Sequence, residues 1–388
     1  MSGLRAMFRR DPLRLIYLSP VPLGSFAQRP HHFVHWFHQR YGGDVLWIDP
    51  GPSRLPRRSD WPRLAKYFQS SSPTLGPDWR DAPWLQHVIA KVLPFEPFAW
   101  GRWVNRVLWQ DLLKQTDDFV NPETVLVLGK PCALSLALIQ RYPQQRCIFD
   151  AMDHMPGFLT GVSRRWMVQA ERGLAQQADA IWASAHALVE HHSDHADKVS
   201  LVLNALTQPP LARKQPDRTG LVFGYLGVID RWFDWGLITA LAKAFPDACV
   251  ELVGPIHVPA PGPLPSNVHC LPAVPQHQVY QAMERFDVGL IPFASNDVTA
   301  YVDPVKYYEY RALGLPVLST RFGEMSRRNA SDGVVFWDQL ILGKLDLPAL
   351  LASQASEQAR LSFCERNSWT CRFNSVADTL CFPSTPES

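Results

Sequence analysis

Two series of short, nearly continuous apolar runs constrain this chain more than any other feature. The first comprises LRLIYLS (13–19), DVLWID (44–49), TVLVLG (124–129), RCIFDA (146–151), AIWAS (180–184) and VSLVLN (199–204). The second comprises LVFGYLG (221–227), CVELVG (249–254), NVHCLP (267–272), VGLIPF (288–293), PVLST (316–320) and VVFW (334–337). Turn residues and then a helical pattern follow each run. Runs of this length are strands, and their lack of polar alternation means burial on both faces, as in parallel sheets covered by helices. Two series imply two doubly wound α/β domains. The Pro-, Gln- and charge-rich TQPPLARKQPDRTG (207–220) between them reads as a linker. The expected organisation is an N-terminal Rossmann-like domain over 1–206, a second over 221–360, and a closing helix and tail over 361–388. Residues 50–122, rich in Pro, Trp and Arg, read as extra helices and loops rather than sheet.

Length agrees, since 388 residues exceed one ordinary core. A net charge of +2 gives no support to a nucleic-acid-binding surface. The seven cysteines are scattered and never form CxxC, so they read as reduced thiols rather than a disulfide frame or zinc site. The basic N-terminus lacks a continuous apolar core and makes a poor signal peptide, and no stretch reaches the roughly 18 apolar residues of a spanning helix. A cytoplasmic protein, soluble or peripheral at the inner face of the plasma membrane, is expected. Ligands of paired doubly wound domains bind between them, at the carboxyl ends of the strands. Motifs that follow strands are therefore the informative ones.

The richest is VDPVKYYEYRALGLPVLST (302–320). Asp303 suits an N-cap and Pro304 the first helical position, and Gly314 supplies the break before the next strand, which predicts a helix over about 304–313. Lys306 in the first turn opposes the helix dipole by roughly 0.3–1 kcal/mol. A phosphate at the helix N-terminus would reverse that sign. Glu309 lies on the same face, and an ionised carboxylate can accept two hydrogen bonds from the vicinal hydroxyls of a ribose. The competing reading is a solvated i, i+3 salt bridge.

The VGLIPF strand, its polar loop and this helix together resemble the donor-nucleotide region of GT-B glycosyltransferases. The resemblance is to the bacterial branch that assembles surface polysaccharides, teichuronic-acid-type enzymes included. It extends to YLGVIDRWFDWGLITALAKAFPDACVELVGP (225–255), SFAQRPHHFVHWFHQRYGGDVLWID (25–49), ADAIWASAHALVEHHSDHADKVSLVLNA (178–205) and NSWTCRFNSVADTL (367–380). That is nearly the whole chain except 50–122. It implies that Glu309 binds the ribose of a nucleotide-diphosphate sugar, that Lys306 and the backbone from Val302 through Asp303, Pro304 and Val305 hold the diphosphate, and that the last helix crosses back onto the first domain. The sugar nucleotide is then a co-substrate, and neither cofactor nor metal is expected. Many relatives carry a second acid eight residues before the first, against the donor sugar; Tyr301 stands there in this chain.

Other strand-end motifs complete the expected site. In GVIDRWFDW (227–235), Gly227 permits close backbone approach and Arg231 can clamp a diphosphate, while Asp230 and Asp234 cap and anchor the loop. In AQRPHHFVHWFHQR (27–40), Pro30 opens a helix with an apolar face at Phe33, Trp36 and Phe37. His31, His35 and His38 share a face without an acidic partner, which argues against a metal, and Arg29 with His31 or His32 is expected to point at the acceptor or the donor phosphates. In FDAMDHMPGF (149–158), Asp153 or His154 is the candidate base or charge stabiliser, and Asp150 the candidate turn cap. Finally, WLQHVIAKVLPFEPFAWGRWVNRVLW (84–109) interleaves aromatics with Lys91, Arg102 and Arg106. That is either a lipid-facing surface for a polyprenyl-linked acceptor, aided by basic Arg5, Arg9, Arg10 and Arg14, or a buried helix pair. The alternatives to a glycosyltransferase are a sugar-nucleotide epimerase and a non-catalytic binding protein. No GxGxxG follows any strand, which disfavours an NAD(P) enzyme.

Overall fold

The computed structural model describes residues 12–52, 55, 77–206, 220–341, 346–352 and 354–381. Linker residues 207–219 and the basic residues Arg5, Arg9 and Arg10 lie outside them. The chain forms two compact units, one of residues up to Ala183, Leu188–Val202 and the segment from Phe373 onward, the other of Ser184–Ala187 and Leu203–Arg372.

The first unit holds a seven-stranded parallel sheet in the order β3-β2-β1-β4-β5-β6-β7. Its elements are β1 (Arg14–Leu18), α1 (Arg29–Tyr41), β2 (Val45–Asp49), β3 (Leu85–Ile89), α2 (Ala99–Leu108), α3 (Gln110–Phe119), β4 (Thr124–Leu128), α4 (Ala133–Arg141), β5 (Arg146–Ala151), α5 (Gly161–Gln177), β6 (Ala180–Ala183), α6 (His186–His191) and β7 (Val199–Leu201). The central strands β1 and β4 pair from Arg14↔Thr124 to Leu18↔Leu128. Their apolar side chains are wholly buried, which is why their sequences lack alternation. Helix α1 starts at Arg29 with Pro30 in its first turn and buries Phe33, Val34, Trp36 and Phe37. Phe33 meets Tyr17, Trp182 and Phe373 at ring-centroid distances of 5.9, 5.1 and 5.2 Å.

Strand β3 corrects the expectation that 50–122 holds no sheet: Leu85–Ile89 pairs with β2 from Val45↔Leu85 to Asp49↔Ile89. It is an edge strand, LQHVI, with Gln86, His87 and Ile89 exposed. A strand covered on so little of its surface needs no continuous apolar run, and the composition of the segment conceals it.

The second unit holds a six-stranded parallel sheet in the order β10-β9-β8-β11-β12-β13. Its elements are β8 (Val222–Leu226), α7 (Trp235–Ala244), β9 (Cys249–Val253), β10 (Val268–Leu271), α8 (Val279–Met283), β11 (Val288–Ile291), α9 (Val305–Ala312), β12 (Val317–Ser319), β13 (Val334–Phe336), α10 (Trp337–Ile341), α11 (Leu347–Ala352) and α12 (Glu357–Arg366). A last helix, α13 (Trp369–Asn374), leads out of it. One contact fixes α9 on this sheet. Gly224 and Gly289 face each other across β8 and β11, and a Cβ on Gly289 would lie 2.4 Å from the Tyr310 ring. With no side chain there, Tyr310 of α9 lies flat on the strand, and its hydroxyl accepts from the Leu226 N–H at 3.1 Å. The helix start is thereby held beside the end of β8.

Candidate functional site

In the second unit, β8 is followed by Gly227, whose φ of +147° is a conformation other residues rarely adopt. A Cβ there would stand 2.4 Å from Lys306 Cε and 2.5 Å from Nζ. The lysine thus lies directly over the turn, its ammonium 5.4 Å from the centre of the Tyr225 ring. Lys306 and Glu309 are both half-buried. Burial pulls the Lys306 pKa down, partly offset by Glu309, and pushes the Glu309 pKa up, partly offset by Lys306. Yet neither charged group makes a hydrogen bond or an ion pair within 4.0 Å to any described residue. The salt-bridge reading of their spacing therefore fails. Two partly desolvated charges left without hydrogen bonds are costly unless a ligand meets them.

Helix α9 begins one residue later than expected. Pro304 occupies the N-cap position, with φ −76° and ψ 119°, and Asp303 does not cap the helix. Asp303 is buried instead, accepting from the Asn204 N–H and the Tyr308 hydroxyl, both at 2.8 Å, and from Arg328 Nη2 at 3.1 Å. It is a clamp that holds the helix start in place. Pro304 has no N–H, so the free donors at this terminus are the N–H groups of Val305 and Lys306. Gly314 breaks the helix as expected, with φ +77°. Tyr301 closes a 3-10 turn (Thr299–Tyr301) just before α9 and is half-buried.

Arg231 lies on the loop after β8. Its guanidinium is 70% exposed, 3.9 Å from Asp230. Asp234 caps α7 through the N–H groups of Gly236 and Leu237, at 2.9 and 3.2 Å. Asp230 accepts from the Arg231 N–H at 2.6 Å and pairs with His257 at 3.1 Å. Both aspartates anchor the loop as the sequence suggested, and Phe233 packs in the core.

The first unit revises the α1 residues more deeply. Arg29 is buried, with Nε 2.9 Å from Asp150 Oδ1 and Nη1 donating to the Val202 carbonyl at 2.5 Å. The other Asp150 oxygen accepts from the Tyr17 hydroxyl at 2.9 Å. Arg29 therefore ties β5 to the segment after β7 and is not presented to a ligand. His31 is also buried, its two ring nitrogens engaged by the Leu23 carbonyl (3.1 Å) and the Gln28 N–H (3.2 Å), its ring 4.8 Å from Trp47. His32 is held neutral, its pKa lowered to about 3 by burial, reinforced by His31 and His35. His35 stacks on Trp79 and His38 on Trp84, at 5.6 and 4.2 Å. The histidine row of α1 is a packing surface, which the isolated helical pattern could not reveal because the tryptophans that His35 and His38 stack on, Trp79 and Trp84, lie beyond β2 in the sequence.

After β5, Asp153 and His154 separate. Asp153 is half-buried, makes no hydrogen bond through its carboxyl to a described residue, and has its pKa raised to about 7 by burial, with Arg29 opposing and Asp150 reinforcing. His154 turns instead toward His191 and Glu171. Glu171 was not singled out from the sequence, although it was legible: it is a carboxylate among Met167, Ala170 and Leu174 on the apolar face of α5.

The segment 84–109 divides between the two readings of its aromatics. Trp84 stacks on His38 and Trp109 is buried. Trp100 and Trp103 of α2 are 56% and 67% exposed, with Phe98, Val107 and Leu108 also open to solvent. Only Gly101 and Asn105 of α2 are buried, Asn105 bonding both the N–H and the carbonyl of Leu93. Arg102 lies over the Trp166 ring at 4.4 Å, and Arg106 is exposed.

Two doubly wound parallel units, with the chain returning to the first at its end, constitute the GT-B fold, and this chain has that fold. It aligns with the lipopolysaccharide outer core galactosyltransferase WaaB over 95% of its own length and 99% of that chain, with TM-score 0.59 and 11% identity. It aligns equally widely with Anabaena HepE in complex with UDP and glucose, with TM-score 0.62 and 14% identity. Among sequences, it is 26% identical over 315 residues to a Bacillus subtilis (strain 168) protein assigned to teichuronic acid biosynthesis as the glycosyltransferase TuaH, covering 73% of this chain and 74% of that one. No protein-family profile matches the chain.

Proposed function

We propose that this protein is a glycosyltransferase that moves a sugar from a nucleoside-diphosphate donor to a glycan acceptor in cell-surface polysaccharide biosynthesis. The observation that carries the reading is the pair Lys306 and Glu309, both half-buried, Lys306 beside Gly227, with neither charged group hydrogen-bonded to a described residue. In this reading Lys306 and the N–H groups of Val305 and Lys306 take the diphosphate, the helix dipole adding to the attraction. Glu309 takes the ribose hydroxyls. Arg231, on its exposed loop, swings to the phosphates. The similarity to TuaH supports the glycosyltransferase assignment, and HepE in complex with UDP-glucose supports a UDP-type donor.

Asp153 acts on the acceptor hydroxyl, as base or as stabiliser of developing positive charge, because its carboxyl is the one at the end of β5 left uncommitted by other side chains. The reaction needs no resident cofactor in this reading, since the donor carries its own activation in the diphosphate leaving group. The acceptor is polyprenyl-linked, and α2 meets the membrane through Phe98, Trp100 and Trp103, with Arg106 toward anionic headgroups. No helix among the described residues is long and apolar enough to cross a membrane.

Melting temperatures with UDP, GDP, dTDP and ADP test the donor site directly, since a ligand of the folded state raises them. The expected result is a shift with one nucleotide, abolished by Glu309→Ala; an undiminished shift in that variant overturns the assignment. Transfer is measured as nucleotide release that requires a lipid-linked acceptor fraction. Conversion of the donor alone to a second sugar nucleotide would identify an epimerase instead.

A further inference from the structure

One cluster of ligating side chains is left out of the glycosyl-transfer reading. His154 follows β5, Glu171 lies in the middle of α5, and His191 ends α6, so three separate elements of the first unit converge. One ligating atom from each lies within 4.8 Å of the other two. His191 Nε2 is 3.2 Å from Glu171 Oε2, and the His154 and His191 rings meet edge to face at 4.9 Å. Glu171 is almost wholly buried, and its second oxygen, Oε1, has no hydrogen-bond partner among the described residues. The ring of His192 lies 4.8 Å from that of His191, and its buried Nε2 is likewise without a partner. A buried carboxylate with one oxygen unmet is costly, and an ion pair to a half-exposed histidine satisfies only the other.

We propose that His154, Glu171 and His191 bind a divalent transition-metal ion, with Zn2+ the best match. Two imidazoles and one carboxylate are a donor set that zinc accepts at about 2.0–2.2 Å, leaving a fourth position for water. Tetrahedral bonds of that length place donors about 3.3 Å apart. The His191–Glu171 pair is already at that spacing, and the remaining side chain closes by rotation. The ion staples the loop after β5 to α5 and α6. Because Asp153 precedes His154 on that loop, the metal is a positioning element for the carboxylate rather than a participant in transfer. These are not the α1 histidines, of which His35 and His38 stack on tryptophans and His31 is held by the Leu23 carbonyl and the Gln28 N–H.

The test does not depend on enzymatic activity. The whole chain, stripped with chelator, is titrated with ZnCl2 by calorimetry and, separately, with CoCl2 by visible absorption. The expected result is one equivalent bound, a visible d–d band with cobalt, and a melting temperature raised by about 5 °C or more at a hundredfold excess over Kd. Glu171→Gln, which keeps the side chain's shape, and His191→Ala, at a half-exposed position, abolish all three signals, while His195→Ala in the same segment preserves them. A folded wild-type chain that binds no zinc overturns the proposal and leaves a Glu171–His191 ion pair. Stoichiometric binding that survives Glu171→Gln overturns it equally, since the ion then sits elsewhere.

Discussion

Replacing Gly227 by alanine tests the proposed donor site at a tight point. The substitution has two separable costs. The backbone stays at φ +147°, which strains an L-residue by about 1–3 kcal/mol. The new methyl would lie 2.4 Å from Lys306 Cε and 2.5 Å from Nζ, so the lysine must leave its place over the turn. A charge-assisted hydrogen bond from that ammonium to a phosphate contributes about 1.5–3 kcal/mol. Losing it weakens nucleotide binding about 10- to 150-fold. Calorimetric titration of the selected nucleoside diphosphate into wild type, Gly227→Ala, Lys306→Ala and the double variant checks the mechanism. Both single variants remove the same contact, so the double variant is expected to bind no more weakly than Lys306→Ala alone. Its stability loss is also smaller than the sum, because truncated Lys306 no longer collides with the methyl. Unchanged affinity in Gly227→Ala, or losses that add in the double variant, would refute the placement of phosphate beside Lys306.

Three further outcomes follow from the same structure. Asp153→Asn is expected to lower kcat by about 10²- to 10⁴-fold with little change in donor KM, measured as acceptor-dependent nucleotide release. Nucleotide affinity is expected to fall on both sides of a narrowed pH plateau: as pH drops through the raised Glu309 pKa the carboxylate is lost, and as pH rises through the lowered Lys306 pKa the ammonium is lost. Titrations in Lys306→Ala should keep the acid limb and lose the alkaline one; persistence of both limbs would assign them to other groups. Replacing Trp100, Trp103 and Arg106 together by serine is expected to abolish co-sedimentation with anionic vesicles while leaving nucleotide binding intact, and unchanged sedimentation would remove α2 from the membrane.

What the sequence made legible tracks the range of the interactions involved. Buried parallel strands announce themselves locally, because both faces must be apolar, and every apolar run of the two series became a strand. Edge strand β3 did not, because Gln86 and His87 are exposed. Helix α9 was visible in outline, and Lys306 and Glu309 were readable as candidate site residues because a first-turn lysine needs an explanation. The role of Asp303 was misread for a physical reason. Locally it is a good N-cap, but Asn204, Tyr308 and Arg328 together bind its carboxylate more fully than a helix terminus would. Arg29 was misread for the same reason at longer range, its partner Asp150 lying 121 residues away.

That distant partner also explains why two neighbouring aspartates divide their roles. Asp150 lies near the end of β5, Asp153 on the loop that follows it, and Arg29 acts on both. Arg29 bonds Asp150 directly, the Tyr17 hydroxyl donates to its second oxygen, and Asp150 is fully buried. Asp153 feels the arginine only at a distance and feels Asp150 as a like charge, while burial disfavours its ionised form. Removing Arg29 would therefore not simply free a binding residue. Arg29→Met strands the Asp150 carboxylate in the core at a cost of about 3–5 kcal/mol and removes a positive charge that stabilises ionised Asp153. Asp150→Asn in the same background relieves the stranded charge, so the double variant should melt higher than Arg29→Met alone. A double variant that melts lower would mean that Arg29 supports the loop through the Val202 carbonyl and not through the aspartate pair.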